Sequence, residues 1–242
     1  MIAHRSLRSV VAGVEKVPTG DHARHYHREA YATVILSGRF VETSFAGRSA
    51  VGPGDVLLHG AFDSHANVGS GPGGPTILRL PWFGSGQEGR FTIADPDALA
   101  RVAERCPFEA RDVLAREMSA VDRDASHWVD KLAAEIGGGA VENLTDWAEQ
   151  NRLSPETVSR GFGRVFQVSP KLFRLETRAR TAWRAVVGGR ERLTVIAHRM
   201  GFADLAHMSR SIRLLTGASP RQWRGAVDAG QVRSSAGDQR AA

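Results

Sequence analysis

The stretches LTDWAEQNRLSPETVSRGFGRVF (144–166) and LTVIAHRMGFADLAHMSRSIRLLTGASPRQWR (193–224) are two copies of one pattern. Leu144, Thr145 and Ala148 recur as Leu193, Thr194 and Ala197. Ser159, Arg160, Ser169, Pro170 and Arg174 recur as Ser209, Arg210, Ser219, Pro220 and Arg224, once one residue is inserted between Ala197 and Asp204. Such an internal repeat decides architecture before any single element does. Each copy reads as a helix-turn-helix. A first helix opens at Thr145 or Thr194, the expected N-cap, and buries Ala148 or Ala197, small enough for close helix approach. After the turns QNRLS and RMGFAD, the second helices open on Ser154-Pro155-Glu156 and on Asp204, strong start signals. Val158, Phe162 and Val165, and Met208, Ile212 and Leu215, fall on one face. Ser159, Arg160 and Arg164, and His207, Arg210 and Arg213, take the other. A plain repeat of solvated helical hairpins predicts mixed charge there. These second helices instead carry Arg and have no acid after Glu156 or Asp204.

The intervening PKLFRLETRARTAWRAVVGG (170–189) fits one helix through Leu172, Phe173, Leu175, Ala179, Ala182, Trp183 and Val186, ended by Gly188-Gly189. Some seventeen residues at ~1.5 Å each span about 25 Å. That length is expected to help place the two second helices in successive major grooves, roughly 34 Å apart on B-DNA.

The charge distribution agrees. The chain of 242 residues carries a formal +6. Residues 1–140 hold 15 Lys+Arg against 17 Asp+Glu, whereas 141–242 hold 17 against 9. The basic excess therefore sits with the repeat, which suggests a second domain with an anionic partner. With 42% apolar and 24% charged residues, the composition excludes wholesale disorder. No stretch approaches ~18 apolar residues, so no membrane-spanning helix is expected. No signal peptide is evident, and a cytoplasmic protein is expected. One cysteine, Cys106, excludes an internal disulfide and any multi-cysteine zinc module.

Residues 1–85 have a different texture. YATVILSG, RFVETSF, DVLLHG and TILRL are short apolar or alternating runs between glycines, and read as strands of a sandwich or barrel. GSGPGGP at 69–75 reads as loop. From Asp95-Pro96 the period becomes helical, with Leu99, Val102, Ala103 and Cys106 on one face. EARDVLAREM makes a second helix, and Trp128, Leu132 and Ile136 mark a third, ended by Gly137-Gly138-Gly139. The expected domains are a β domain at 1–90, a helical linker or dimerisation segment at 91–124, an all-α domain at 125–226 and a disordered tail at 227–242. Trp82 and Phe83 read as core or interdomain packing, and His59, Asp63 and Tyr26 as ordinary surface or loop residues.

The stretch from Asn143 to Arg224, about a third of the chain, resembles the DNA-binding domain of AraC/XylS transcriptional regulators. Gly201-Phe202, Ser209-Arg210, Gly217 and the Pro220…Arg224 ending match the family signature. The resemblance implies two helix-turn-helix motifs joined by a long helix and reading double-stranded DNA. By position, Glu156, Ser159 and Arg160 in copy one and Ala206, His207 and Arg210 in copy two would read bases. Arg bidentate to guanine is the most informative such contact. Arg164, Arg174, Arg178, Arg213, Arg221 and Arg224 would contact phosphates or support the fold. This sequence departs from the family in having Arg152 in the first turn and Gln167 after the first recognition helix, both positions where Gly is common. Gly161 and Gly163 lie inside that helix, each costing about 1 kcal/mol relative to Ala, so copy one is expected to be the softer reader.

In the N-terminal part, His25 and His27 share one face of a strand. With Gly47, Pro53-Gly54-Asp55 and His65, this order resembles the two motifs of cupins, small antiparallel β-barrels that AraC-type regulators often carry as sensors. The resemblance implies a ligand pocket at His25, His27, Tyr31 and His65. A divalent transition metal would use His25, His27 and His65, with Glu29 as a further candidate. The fold class expected is thus multidomain α and β: a cupin-like barrel, a helical linker and a C-terminal all-α domain. The function expected is a bacterial transcriptional regulator without catalytic residues, controlled by a small-molecule effector. A homodimer is expected, and RNA polymerase is a candidate partner. The competing reading is a metal-dependent cupin enzyme fused to a DNA-binding domain, marked by stoichiometric metal together with turnover.

Overall fold

The computed structural model describes residues 7–8, 11–69, 71, 73–83, 88–122 and 127–230. Its β elements are β1 (Leu7–Arg8), β2 (Gly13–Lys16), β3 (His22–His27), β4 (Tyr31–Ser37), β5 (Phe40–Ser44), β6 (Gly47–Val51), β7 (Asp55–His59), β8 (Ser64–Val68), β9 (Thr76–Pro81), β10 (Gly89–Thr92) and β11 (Ser119–Ala120). The helices are α1 (Pro96–Arg105), α2 (Pro107–Glu117), α3 (Trp128–Gly137), α4 (Leu144–Gln150), α5 (Pro155–Phe166), α6 (Pro170–Gly188), α7 (Leu193–Arg199), α8 (Leu205–Thr216) and α9 (Pro220–Asp228). The chain divides into two compact units, 3–170 and 171–242 together with residues 1–2.

In the first unit the strands form two sheets, ordered β1-β3-β8-β5-β6 and β11-β10-β7-β4-β9-β2. All pairs are antiparallel except the short β1–β3 pair. Side chains alternate along each strand. On β4, Ile35 packs between the sheets with Leu57, Ile77, Phe40 and Val51. Ala32 and Val34 take the other face, where with Val56, Leu58, Leu78 and Leu80 they pack against Leu99 and Ala103 of α1 and Ala110 and Leu114 of α2. The segment expected to be a linker is therefore a lid over the six-stranded sheet, and β10 and β11 extend that sheet beyond residue 90. Its amphipathic face is already covered within the chain. Trp82 is buried in this cluster, but Phe83 is exposed, stacks on Phe108 and has the Arg111 guanidinium over its ring.

The first helix-turn-helix belongs to the same unit. Asn143 caps α4 by accepting from the Thr145 N–H; Thr145 is inside the first turn, not the N-cap. Ser154 caps α5 with Pro155 at its start, as expected. Val158, Phe162 and Phe166 are buried, while Val165 is half-buried. Arg152 and Gln167 both adopt left-handed backbone, each at φ 56°. The matching residues of copy two are Gly201 and Gly217, at φ 67° and 81°. A non-glycine residue in that region costs about 1 kcal/mol.

In the second unit, Arg192 precedes α7 without a side-chain cap, so Thr194 is not the N-cap either. Asp204 caps α8, and Ser219 forms a capping box with Gln222 at the start of α9. Met208, Ile212 and Leu215 are buried with Phe173, Trp183 and Trp223, the last two in edge contact. Helix α9 runs to Asp228, so the segment from 227 onward begins as ordered helix; residues 231–242 of the expected tail lie outside the described residues.

The two glycines of α5 differ. A Cβ on Gly161 would lie 2.6 Å from Cζ2 of Trp128, whereas at Gly163 the nearest atom is 4.0 Å away. Gly161 is thus the seat for the Trp128 ring on α3. Gly163→Ala is expected to raise stability by about 0.5–1 kcal/mol from helix propensity. Gly161→Ala is expected to lower it by about 1–3 kcal/mol through overpacking. Urea unfolding of both variants checks this; the opposite order contradicts it.

Candidate nucleic-acid interface and buried polar cavity

The alternation that sends Ala32 and Val34 outward sends Tyr31 and Thr33 inward, to the end of the intersheet space where polar groups replace apolar ones. Glu42 of β5, His59 of β7, His65 and Asn67 of β8 and Arg79 of β9 line the same cavity. Tyr31 is buried; its hydroxyl lies 3.3 Å from Nε2 of His65, and its ring stacks on His59 at 4.6 Å. His25, His27 and His65 are buried, with one ring nitrogen of each within 4.8 Å of the others. Nδ1 of His25 donates to the Ala23 carbonyl at 3.0 Å, which fixes its ring. Nδ1 of His65 is buried, and the Asp63 backbone acts on this imidazole. The four residues expected from the sequence are thus brought together. Glu29 is exposed and takes no part.

The sequence reading missed half of this cluster. His59 and Asp63 are buried rather than superficial. His59 lies between two carboxylates, with Nε2 3.6 Å from Glu42 and Nδ1 3.4 Å from Asp63. Glu42 was not singled out at all. The available signal was the spacing Phe40, Glu42, Ser44, which shares one face of a strand.

Burial pushes the Glu42 carboxyl up to about 7, against which the His59 charge acts. His59 is raised because Glu42 and Asp63 outweigh its own desolvation. Burial, then the neighbouring His59, His25 and His27, hold His65 well below the ordinary imidazole value, so it is neutral at pH 7. Burial also raises the Tyr31 phenol, which keeps its proton. The cavity measures about 20 Å³. One water needs ~10–15 Å³, while drug-sized ligands occupy pockets of about 300 Å³ or more. As folded, it admits a water or a single ion.

Of the residues expected at the nucleic-acid interface, Glu156, Ser159, Arg160 and Arg164 on α5 are all exposed. Hydrogen bonding to its own backbone and to Ser154 lowers the Glu156 carboxyl, which is therefore ionised and engaged at the start of its helix. In the second unit Ala206, Arg210 and Arg213 on α8 are exposed, and His207 is half-buried with its ring edge-on to Phe202. Of the arginines expected to contact phosphates or support the fold, two make contacts within the fold. Arg178 donates from Nε to the Met200 carbonyl at 3.0 Å and lies over the Phe202 ring, clamping the turn before α8. Arg224 donates to the Glu191 and Val186 carbonyls at 2.8 and 3.4 Å.

Residues 147–226 match the family model described as a helix-turn-helix domain. The matched stretch runs from within α4 to within α9 and so takes in both second helices, α5 and α8. Among solved structures, the C-terminal domain of AraT, a response regulator from Geobacillus stearothermophilus, is 22% identical over 40% of this chain and 83% of its own, with a TM-score of 0.38. ToxT from Vibrio cholerae, bound to an unsaturated fatty acid, is 11% identical over 88% of this chain and 94% of its own, at 0.40. The C-terminal domain of YesN, a two-component response regulator from Fusobacterium nucleatum, is 20% identical over 39% and 94%, at 0.36. No curated protein matches the chain. Among the described residues, no helix is long and apolar enough to cross a membrane.

The cavity gives a pH dependence. The folded chain holds the Glu42 proton more tightly than the unfolded chain. This carboxyl's contribution to stability is therefore complete below its ordinary value of 4.5 and is lost as pH rises through about 7. Glu42→Gln, permanently neutral, is expected to change stability little at about pH 5 and to raise it by on the order of 2 kcal/mol at about pH 8. Thermal melts across that range check the sign; an equal shift at both ends contradicts it.

Proposed function

We propose that this chain is a cytoplasmic, sequence-specific DNA-binding transcriptional regulator that reads two major-groove segments with α5 and α8 and is controlled through its buried polar cavity. The observation that carries the reading is the repeat itself. Two capped helices present matched polar faces, with Arg160 and Arg210 at equivalent, exposed positions. Binding to DNA upstream of its own gene, compared with random DNA over a salt series, tests it. A specific complex with a steep salt slope is expected. Arg160→Ala or Arg210→Ala is expected to cost about 1–3 kcal/mol and relax specificity at one position if that Arg reads guanine, or to weaken all sequences uniformly if it holds phosphate. Equal, weak binding to every duplex, unchanged by either substitution, contradicts the reading.

A divalent transition metal is proposed at His25, His27 and His65, a group that adjoins the cavity through His65. Neutral imidazoles suit such ions, and three buried histidines whose ring nitrogens lie within 4.8 Å of one another support this set. Nitrogens around a tetrahedral ion stand about 3.4 Å apart, so closing from within 4.8 Å needs ring shifts on the order of 1 Å. The ion would supply a fixed positive charge between the sheets. A larger organic effector would have to part them. Titration with Co(II) is expected to give one site per chain, weakened at least about tenfold by His65→Gln. Binding unaffected by that substitution would remove the assignment. Homodimerisation and contact with RNA polymerase complete the proposal as expectations of this regulator class.

A further inference from the structure

Helices α5 and α8 both end on a left-handed residue. In α8 it is Gly217, which adopts that backbone freely. At the matching place in α5 stands Gln167, a residue that is strained there. Strain persists where the surrounding structure holds it in place. The Gln167 side chain has a definite partner, since its Oε1 accepts from the backbone N–H of Arg24 on β3 at 2.9 Å. That N–H lies in the bulged stretch of β3, before Tyr26, where the pairing with β1 starts. His22 pairs with Asn67 and His25 with His65, so β3 spends one residue more than β8 over the same span. The bulge also sets the histidine cluster, since the carbonyl that fixes His25 belongs to Ala23. The same irregular stretch thus holds a histidine of the cluster and the end of a DNA-reading helix.

A second tie runs parallel to it. Arg48 of β6 donates to the buried Asp130 of α3 at 2.7 Å, and α3 carries the Trp128 on which α5 rests at Gly161. The outward residues Glu156, Ser159, Arg160 and Arg164 stay exposed throughout, so these contacts orient the reader without covering it. In copy two the matching Gly201 and Gly217 have no side chains to make such a bond.

We infer that Gln167 is a positioning residue that couples the histidine cavity, through the β3 bulge, to the first DNA-reading helix. The first reader carries the cavity's response, and the second supplies affinity that Gln167 does not govern. The inference rests on the regulator reading above. Coupling between two sites is reciprocal, so DNA bound at α5 must be felt at β3.

Hydrogen exchange of the β3 segment, residues 22–27, is measured in the full chain with and without a duplex enriched from random DNA by this protein. Wild type is expected to change its β3 exchange at least about fivefold on binding. Gln167→Gly is expected to bind DNA and lose that change. It also releases the backbone strain, so its melting temperature separates loss of coupling from loss of fold. Gln167→Glu, which keeps an acceptor, is expected to retain the response. So is Arg152→Gly, which releases equal strain away from β3. A specific complex in which wild type and Gln167→Gly respond alike at β3, or in which wild type does not respond, overturns the coupling. No specific complex with any duplex overturns the regulator reading itself, and the coupling with it.

Discussion

The extra residue in β3 is the constraint on which the first unit depends. Before Tyr26, where its pairing with β1 starts, β3 is paired, among the described residues, on the β8 side only. The bulged stretch offers the Arg24 N–H to Gln167 and the Ala23 carbonyl to His25. Beyond it the period of two resumes, so His25 and His27 again share a face. The buried side of this sheet becomes a polar cavity, and the helix-turn-helix at 144–166 is held to the sheet through Gln167 and Asp130.

Burying Glu42, His59, Asp63 and three further histidines between two sheets is an expensive arrangement. Apolar side chains in the same volume would be cheaper, because buried ion pairs seldom repay their desolvation. The apolar half of the space, around Ile35, Leu57 and Ile77, shows that the sheets can pack that way. The polar half is a set of groups poised near neutrality, with Glu42 at about 7 and His59 above its ordinary value.

The repeat was legible because its capping residues, core positions and basic faces recur at fixed spacing. The placement of His25, His27, Tyr31 and His65 was legible because a strand period puts two histidines on one face and the later motif supplies a third. Glu42, His59 and Asp63 were not. Alternation groups Phe40 with Glu42 but does not say which face is inside, and an inward acid needs partners that lie on other strands. The α1–α2 pair illustrates a second limit: an amphipathic face announces burial, not what covers it, and here the cover is the outer side of the six-stranded sheet. Thr145 and Thr194 misled as N-caps because the residue that starts each helix lies two positions earlier. For Arg178 and Arg224 the sequence left phosphate contact and fold support open, because carbonyl groups at turns attract the same guanidinium that a phosphate does.

The account stands on two helices reading DNA from one chain, and a hydroxyl-radical footprint on an enriched duplex tests this most directly. It predicts two protected patches on one face of the duplex, roughly one helical turn apart. Protection at the first should vanish with Arg160→Ala and at the second with Arg210→Ala. A single patch that both substitutions weaken alike would contradict it.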